Sequence, residues 1–223
     1  MKLLSINTAF PACDVAVLDH SHVAAHRREP MTRGQDARLA TLCDEVLAQA
    51  GVTMDALDRI AVVTGPGSFT GVRVGVAFAR GLALALEIPC LGVTSLEAAM
   101  PPGFRGPTLG ALPAQVRPPD LTYWTQRFDL GGAIEAPVER GLDDLVGDLN
   151  QQAIPLFGFG LEDALGGQDH FHLAGAYSKG HASESTMGGC VTVPAYHGHS
   201  GLGDPKLGTD YMDDPLIGMI QTI

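Results

Sequence analysis

Apolar positions divide the chain into short strands at first and strand–helix pairs afterwards. Residues 3–6 and 15–18 are apolar runs of strand length, separated by the turn-forming Pro11-Ala12-Cys13-Asp14. Residues 23–27 suit a third strand, and three strands in quick succession predict an antiparallel meander. The period then changes. Leu39, Leu42, Cys43, Val46, Leu47 and Ala50 recur at helical spacing and make one apolar face of a helix, led in by Arg33-Gly34-Gln35 and closed by Gly51. Residues 54–57 read as a helical turn, 60–63 as a buried strand, and the segment up to residue 86 as a helix stopped by Pro89. Residues 90–93 make a further strand, and Thr94-Ser95 cap a short helix over 96–100. From residue 60 onward this strand–helix order predicts parallel pairing in an α/β layer.

Residues 101–107, Pro-Pro-Gly-Phe-Arg-Gly-Pro, are linker-like. They set the expected boundary between a first lobe over 1–103, carrying the partner-binding helices, and a smaller second lobe over 104–223. In the second lobe, 108–112 and 121–128 read as strands, 142–149 as a helix and 155–159 as a strand. After about residue 166 Gly, His, Ser and Asp dominate and no period survives, so an irregular tail is expected from about 167. No sequence repeat is evident.

Composition narrows the function. Hydrophobic residues make up 45% and charged ones 17% of the 223 residues, enough for a packed core. The formal net charge is -11, poorly suited to gripping phosphate backbones, because that grip comes from Lys and Arg. Any nucleic acid is expected to be held by a partner. Cys13, Cys43, Cys90 and Cys190 are scattered without a CxxC pair, which favours buried thiols in a reducing compartment over a zinc ribbon or disulfide scaffold. No basic segment followed by a long apolar one opens the chain. The longest apolar run, 72–86, is interrupted by Arg73 and Arg80 and falls short of the ~20 residues that span a bilayer. A cytoplasmic location without membrane contact is expected.

The most informative string is Gly65-Pro66-Gly67-Ser68-Phe69-Thr70-Gly71, between a buried strand and a helix. Glycines there permit positive φ and close backbone approach, and the unpaired N–H groups of a helix start suit an anion. The Lys of GxxxxGK[ST] is missing, so the pattern favours a tight turn that packs the helix onto the sheet. Ser68 and Thr70 do not form GxSxG, and no base is placed for them. His20, His22 and His26 flank a predicted strand and read as solvated or hydrogen-bonded. His170, His172, His181, His197 and His199 lie near Asp204, Asp210, Asp213 and Asp214, but the segment lacks the rigid scaffold of a metal site. Glu135, Glu139, Asp143 and Asp144 read as a solvent-facing acidic stretch. The helix over 72–86 is apolar almost all round and needs cover on more than one side, from its own chain or from a partner.

Three stretches then carry a family resemblance: Leu3-Leu4-Ser5-Ile6-Asn7-Thr8; the GPGSFTG string continued by Val72-Arg73-Val74-Gly75; and Gly81-Leu82-Ala83 with Ile88-Pro89-Cys90-Leu91-Gly92-Val93-Thr94-Ser95-Leu96-Glu97-Ala98. Over about the first hundred residues the chain resembles the TsaB (YeaZ) family. The resemblance implies a two-lobed actin/Hsp70-like (ribonuclease H-like) α/β fold, with a mixed sheet and flanking helices in each lobe. It also implies a non-catalytic scaffold that pairs with TsaD, the subunit that transfers a threonylcarbamoyl group to an adenosine of tRNA. A small ATPase, TsaE, joins that assembly; tRNA is contacted only indirectly, and a homodimer is expected in isolation. No cofactor or metal of its own is implied. Family pairing through helices of the first lobe points to Leu39, Leu42 and Val46 on one helix and Val72, Val76, Ala79 and Ala83 on the next. The residues Gly65, Pro66, Gly67, Ser68, Phe69, Thr70 and Gly71 become a structural loop.

Some residues depart from the wider fold's pattern. Asn7 stands where nucleotide-hydrolysing members carry an Asp, and an amide supplies no charge to Mg²⁺. The first predicted helix holds no His, whereas the catalytic relative carries metal-binding histidines on a helix. Pro113-Ala114-Gln115 replaces a family-like Asp-Ala-Arg, and the C-terminus lacks the usual Pro-Tyr-Leu-Arg-like strand, as expected for a divergent or frame-altered tail. Two competing expectations remain: an ATP-binding or metallopeptidase-like enzyme of the same fold, and a self-associating regulatory homodimer with a symmetric interface.

Overall fold

The structure, a computed structural model, describes residues 1–100, 106–115, 120–130, 132–152, 154 and 156–158. The expected tail with its histidines, aspartates and Cys190, and residues 101–105 of the expected linker, lie outside the described residues.

Residues Met1–Ala98 make a first unit. Strands β1 (Lys2–Asn7), β2 (Ala12–Asp19) and β3 (His22–Pro30) form the predicted antiparallel meander, with Ser5 opposite Ala16 and Asn7 opposite Asp14. β2 starts three residues earlier than its apolar run, because the turn is tight: the Ala12 N–H donates to the Phe10 carbonyl at 2.7 Å. Helix α1 (Gln35–Ala50) follows, and Gly51 closes it at φ 65° with its N–H on the Ala48 and Leu47 carbonyls. After a 3₁₀ turn (Met54–Ala56), β4 (Arg59–Val63) joins β1 in parallel. Helix α2 (Phe69–Leu86) leads to β5 (Cys90–Val93), parallel to β4, giving the order β3-β2-β1-β4-β5. Helix α3 (Ser95–Ala98) begins with a reciprocal capping box: the Glu97 N–H donates to Thr94 Oγ1 at 3.0 Å, and the Thr94 N–H to Glu97 Oε2 at 2.7 Å.

The core of this unit lies between α1, α2 and one face of the sheet. Leu39, Leu42, Cys43, Val46 and Leu47 of α1 pack with Cys13, Val15 and Val17 of β2 and Leu4 and Ile6 of β1. Each such buried aliphatic side chain contributes about 1.5–3 kcal/mol. Outside it, Arg38 of α1 forms a fork onto Glu29 of β3 (2.6 and 2.7 Å) and reaches Glu45 (2.8 and 2.9 Å), which Arg27 also pairs with. The Arg38 guanidinium holds both carboxyls below the usual carboxylate range, so what they add to stability is present at neutral pH and is lost as pH falls through their folded values.

The second unit holds β6 (Thr108–Gln115), β7 (Thr122–Asp129), β8 (Gly132–Ala133), β9 (Val138–Gly141), α4 (Leu142–Gln152) and β10 (Leu156–Gly158). β6 and β7 are antiparallel; β8 and β9 both pair with β7, and β10 runs parallel to β6. Leu145 and Leu149 of α4 pack on Leu109, Ala111, Tyr123 and Leu156. The topology repeats the first unit: an antiparallel strand pair with a third strand beside it, a helix, then a strand parallel to the first. β8 and β9 are absent from the sequence reading, being two and four residues long with no apolar run. Glu139 is solvent-facing as expected, whereas the reading of Glu135 as plain surface is corrected, since it is half-buried. Glu139 accepts from Thr122 Oγ1 at 2.5 Å, Glu135 lies 3.9 Å from Arg127, and Arg127 and Arg140 converge on Asp148 at 3.1 and 2.6 Å. Asp143 and Asp144 are exposed in the first turn of α4, where negative charge suits the helix dipole.

Candidate functional site

The Gly65–Gly71 string of the first unit is a seat for α2. Its strand side is tied down twice: the Ser95 N–H donates to the Gly65 carbonyl at 2.8 Å, and Ser95 Oγ to the Pro66 carbonyl at 2.6 Å. The Gly65–Pro66 bond is cis, and Gly65 has φ 96°. Ser68 caps α2, its Oγ accepting from the Gly71 N–H at 3.2 Å, while its own N–H donates to the Ala9 carbonyl at 2.8 Å. Two backbone donors that an anion would use are thus already engaged by the protein.

The glycines serve close approach. A Cβ on Gly67 would sit 2.5 Å from the Ala9 carbonyl oxygen, and one on Gly71 or Gly75 would collide with the carbonyl oxygen or hydroxyl of Thr8. Thr8 Oγ1 donates to the Gly71 carbonyl at 2.7 Å. The end of β1 therefore grips the start of α2 without side chains between them. Asn7 belongs to the same device: it is buried, and its Oδ1 accepts from the Ala9 N–H at 3.0 Å.

Such a seat turns α2 inside out. Its buried positions, Gly71, Gly75, Ala79 and Ala83, are all small. Of its large apolar side chains, Phe69 and Leu84 stand outward, 70% and 81% exposed, while Val74, Val76, Phe78, Leu82 and Leu86 pack part-buried against the core. Arg73, Ala77, Arg80 and Gly81 complete this outer stripe. The Arg73 guanidinium lies 3.7 Å from the centre of the Phe69 ring. A Cβ on Gly81 would meet nothing within 4 Å, so no internal contact accounts for a glycine that costs an exposed helix about 1 kcal/mol relative to Ala. α2 is long and apolar enough to cross a membrane by length and composition, with a mean hydropathy of 1.4 and 22% of its residues buried. Here it lies on the sheet, and much of its apolar character faces outward.

The expected interface set needs correction on this point. Leu39, Leu42 and Val46 are 1%, 0% and 0% exposed, and Ala79 and Ala83 0% and 5%. All five face the sheet, because the apolar side of each helix is taken by the unit's own core. Val72 and Val76 are half-buried along the flank of α2. The outward residues Phe69, Arg73, Ala77, Arg80, Gly81 and Leu84 were missed, apart from Phe69 as a loop residue. The signal for them was present: a helix whose small residues recur every fourth position turns those toward close packing, and its larger residues away.

The remaining candidates are structural. His26 Nε2 lies 2.8 Å from Oδ1 of the buried Asp14, and His20 contacts Asp19 and the chain's amino terminus. His22 and His26 stand at HxxxH spacing, but on strand β3, where four residues span roughly 13 Å instead of one helical turn. Among the described residues no three His, Cys, Asp or Glu side chains converge as a metal site would require. Burial pushes the Cys13 thiol from 9.0 to about 11 and the Cys43 thiol to about 12. Keeping these thiols protonated supports the fold fully below pH 9.0, and this support is lost as pH rises through their folded values. Neither thiol is expected to react with Ellman's reagent in the native chain at pH 8, and both should react after denaturation; native labelling at these two positions would contradict the burial.

The strand order β3-β2-β1-β4-β5, its partial repetition in the second unit, and helices set against each sheet define the actin/Hsp70-like, ribonuclease H-like α/β fold. A family model described as "TsaD: tRNA N6-adenosine threonylcarbamoyltransferase" matches residues 29–112. The chain is similar to proteins named TsaB. It is 40% identical over 96 residues to the tRNA threonylcarbamoyladenosine biosynthesis protein TsaB of Escherichia coli, covering 43% of this chain and 41% of that protein. It is 38% identical over 98 residues to TsaB of Haemophilus influenzae, covering 44% and 41%. Among solved structures, YeaZ from Pseudomonas aeruginosa superimposes with a TM-score of 0.52 at 31% identity, covering 63% of this chain and 66% of that one. A tRNA N6-adenosine threonylcarbamoyltransferase of Legionella pneumophila is 37% identical over 114 residues, covering 44% of this chain and 34% of that protein. The chain thus spans about two fifths of the length of the curated TsaB relatives it matches. The TsaB (YeaZ) resemblance read from the opening strand and the GPGSFTG string holds.

Proposed function

We propose that this chain is a non-catalytic subunit of the threonylcarbamoyladenosine system that modifies tRNA, pairing in the cytoplasm with a TsaD-type catalytic protein through the outer face of α2. The observation that carries the reading is the inverted helix: Gly71, Gly75, Ala79 and Ala83 seat it, while Phe69 and Leu84 stand exposed. Exposed large side chains along one helix are costly to leave in water and suit a helix-to-helix contact. The relatives named for this biosynthesis supply the pathway. Asn7 supports a non-catalytic role, since its side chain braces the turn that holds α2 and offers no carboxylate to a metal-bound nucleotide. With a net charge of -11, tRNA is better held by the partner, and a TsaE-type ATPase would join the pair.

The test is to mix the purified chain with the TsaD-type protein of the same cell and to measure complex mass by light scattering after gel filtration. A one-to-one species is expected. Leu84→Asp, at an exposed site, should leave the melting curve unchanged and abolish that species. No association of the wild-type chain at micromolar concentration would overturn the reading. The enzyme alternative, encouraged by the transferase relatives, predicts Mg²⁺-dependent ATP binding by calorimetry. A second copy of this chain is the competing occupant of the α2 face, and would give a dimer that the TsaD-type protein does not displace.

A further inference from the structure

We infer that Gly81 determines what the α2 face admits: it opens a notch in the outer surface of the helix, and a helix of the TsaD-type protein crosses α2 there. The inference rests on the pairing proposed above and adds the geometry of the contact. Gly81 is exposed, and a Cβ on it would meet nothing within 4 Å, so no described residue fills the space above it. One turn back, Ala77 is also exposed and adds only a methyl. On either side of these two the surface rises. Toward the start of α2 the Arg73 guanidinium lies 3.7 Å from the centre of the exposed Phe69 ring. Toward its end stands the exposed Leu84.

The dimensions suit a helix as occupant. Arg73 and Leu84 are eleven residues apart on α2, about 16 Å along the axis, and a helix with its side chains is about 10–12 Å across. One helix therefore fits across α2 between the two raised ends. Only a hydrogen and a methyl separate the backbones at the crossing, so the axes can come to the short end of the usual separation of about 8–10 Å. Close approach of a partner backbone is what a glycine at an exposed helix position permits, and it offsets the helix propensity that the glycine gives up. A larger side chain at 81 would fill the notch and lift the crossing helix off both Leu84 and the Phe69 ring. The notch and its two raised ends thus act as one contact. A second copy of this chain is the competing occupant, and the test separates the two.

The experiment uses the full chain and compares Gly81→Leu with Gly147→Leu. A Cβ on Gly147, in α4 of the second unit, would likewise meet nothing within 4 Å, so it carries the same chemical change away from α2. Neither variant is expected to melt below wild type. Titrated with the TsaD-type protein, Gly81→Leu is expected to bind roughly ten- to a hundredfold more weakly, as overpacking a close contact does, and Gly147→Leu as wild type does. Wild-type affinity in Gly81→Leu, with Leu84→Asp still abolishing the complex, would overturn the notch and leave the pairing intact. Failure of the wild-type chain to bind the TsaD-type protein would remove the pairing reading and its named occupant, and self-association of the chain, measured by sedimentation, then decides the notch. A monomer, or association equally strong in wild type and Gly81→Leu, overturns it. Weaker association of Gly81→Leu than of wild type and Gly147→Leu upholds it, with a second copy as the crossing helix.

Discussion

Gly71→Ala is expected to lower the melting temperature of the chain by roughly 10–20 °C, from a cost of about 3 kcal/mol in a unit of this size. The cause is steric. The added methyl would overlap the Thr8 carbonyl oxygen, and a backbone atom at the end of a central strand cannot rotate away. Either α2 lifts from β1, breaking the Thr8 Oγ1 bond to the Gly71 carbonyl, or the strand end shifts and strains the Ala9 contacts to Asn7 and Ser68. Gly81→Ala is the matched control: the same chemical change on the same helix, into open space, expected to leave the melt unchanged or to raise it by up to about 1 kcal/mol. Thermal melts followed by far-UV circular dichroism compare the two. A Gly71→Ala melt within a degree or two of wild type would mean that the helix is not seated against Thr8.

Leu42→Ala should cost about 2–5 kcal/mol, the range for removing a fully buried leucine and leaving part of its cavity. The side chain lies between α1 and the sheet, among Leu39, Cys43 and Val46 of the helix and Val15 and Val17 of β2. Its effect separates two ideas that the sequence alone confounds. If Leu42 belonged to a docking surface, the substitution would weaken partner binding and spare the fold. Because it is core, the variant is expected to unfold at lower denaturant while its folded fraction binds the TsaD-type protein as wild type does. Chemical denaturation and a binding titration below the transition together give the answer. Leu84→Asp should show the opposite pattern.

Most of the elements in the first unit were legible because their patterns are strong and local. α1 was legible over Gln35–Ala50 from one apolar face and a closing glycine. β4 and β5 were read from compact apolar runs next to turn residues, and the meander from three such runs in succession. The second unit was less legible. β8 is two residues long and β9 four, and neither alternates apolar with polar side chains. Both exist because β7 offers them an edge to pair with, which is a tertiary fact. The topological repeat between the units is also silent in the sequence, since a fold fixes which strands neighbour each other and leaves the side chains free to differ.

The candidate site shows the same division more sharply. By itself the sequence determined that a glycine-rich turn joins a buried strand to an apolar helix, that two helices matter, and that the family resemblance is TsaB-like. It could not decide which side of each helix faces outward. Leu39, Leu42 and Val46 look alike whether they meet a sheet or a partner, because hydrophobic periodicity marks a face that needs cover and not what covers it. For α2 the pattern was weaker still, apolar on all sides. Only the tertiary structure settled it, through steric exclusion at Thr8 and Ala9: the strand end admits glycine and nothing larger at Gly67, Gly71 and Gly75, so the helix turns its small residues in and Phe69, Leu84 and both arginines out.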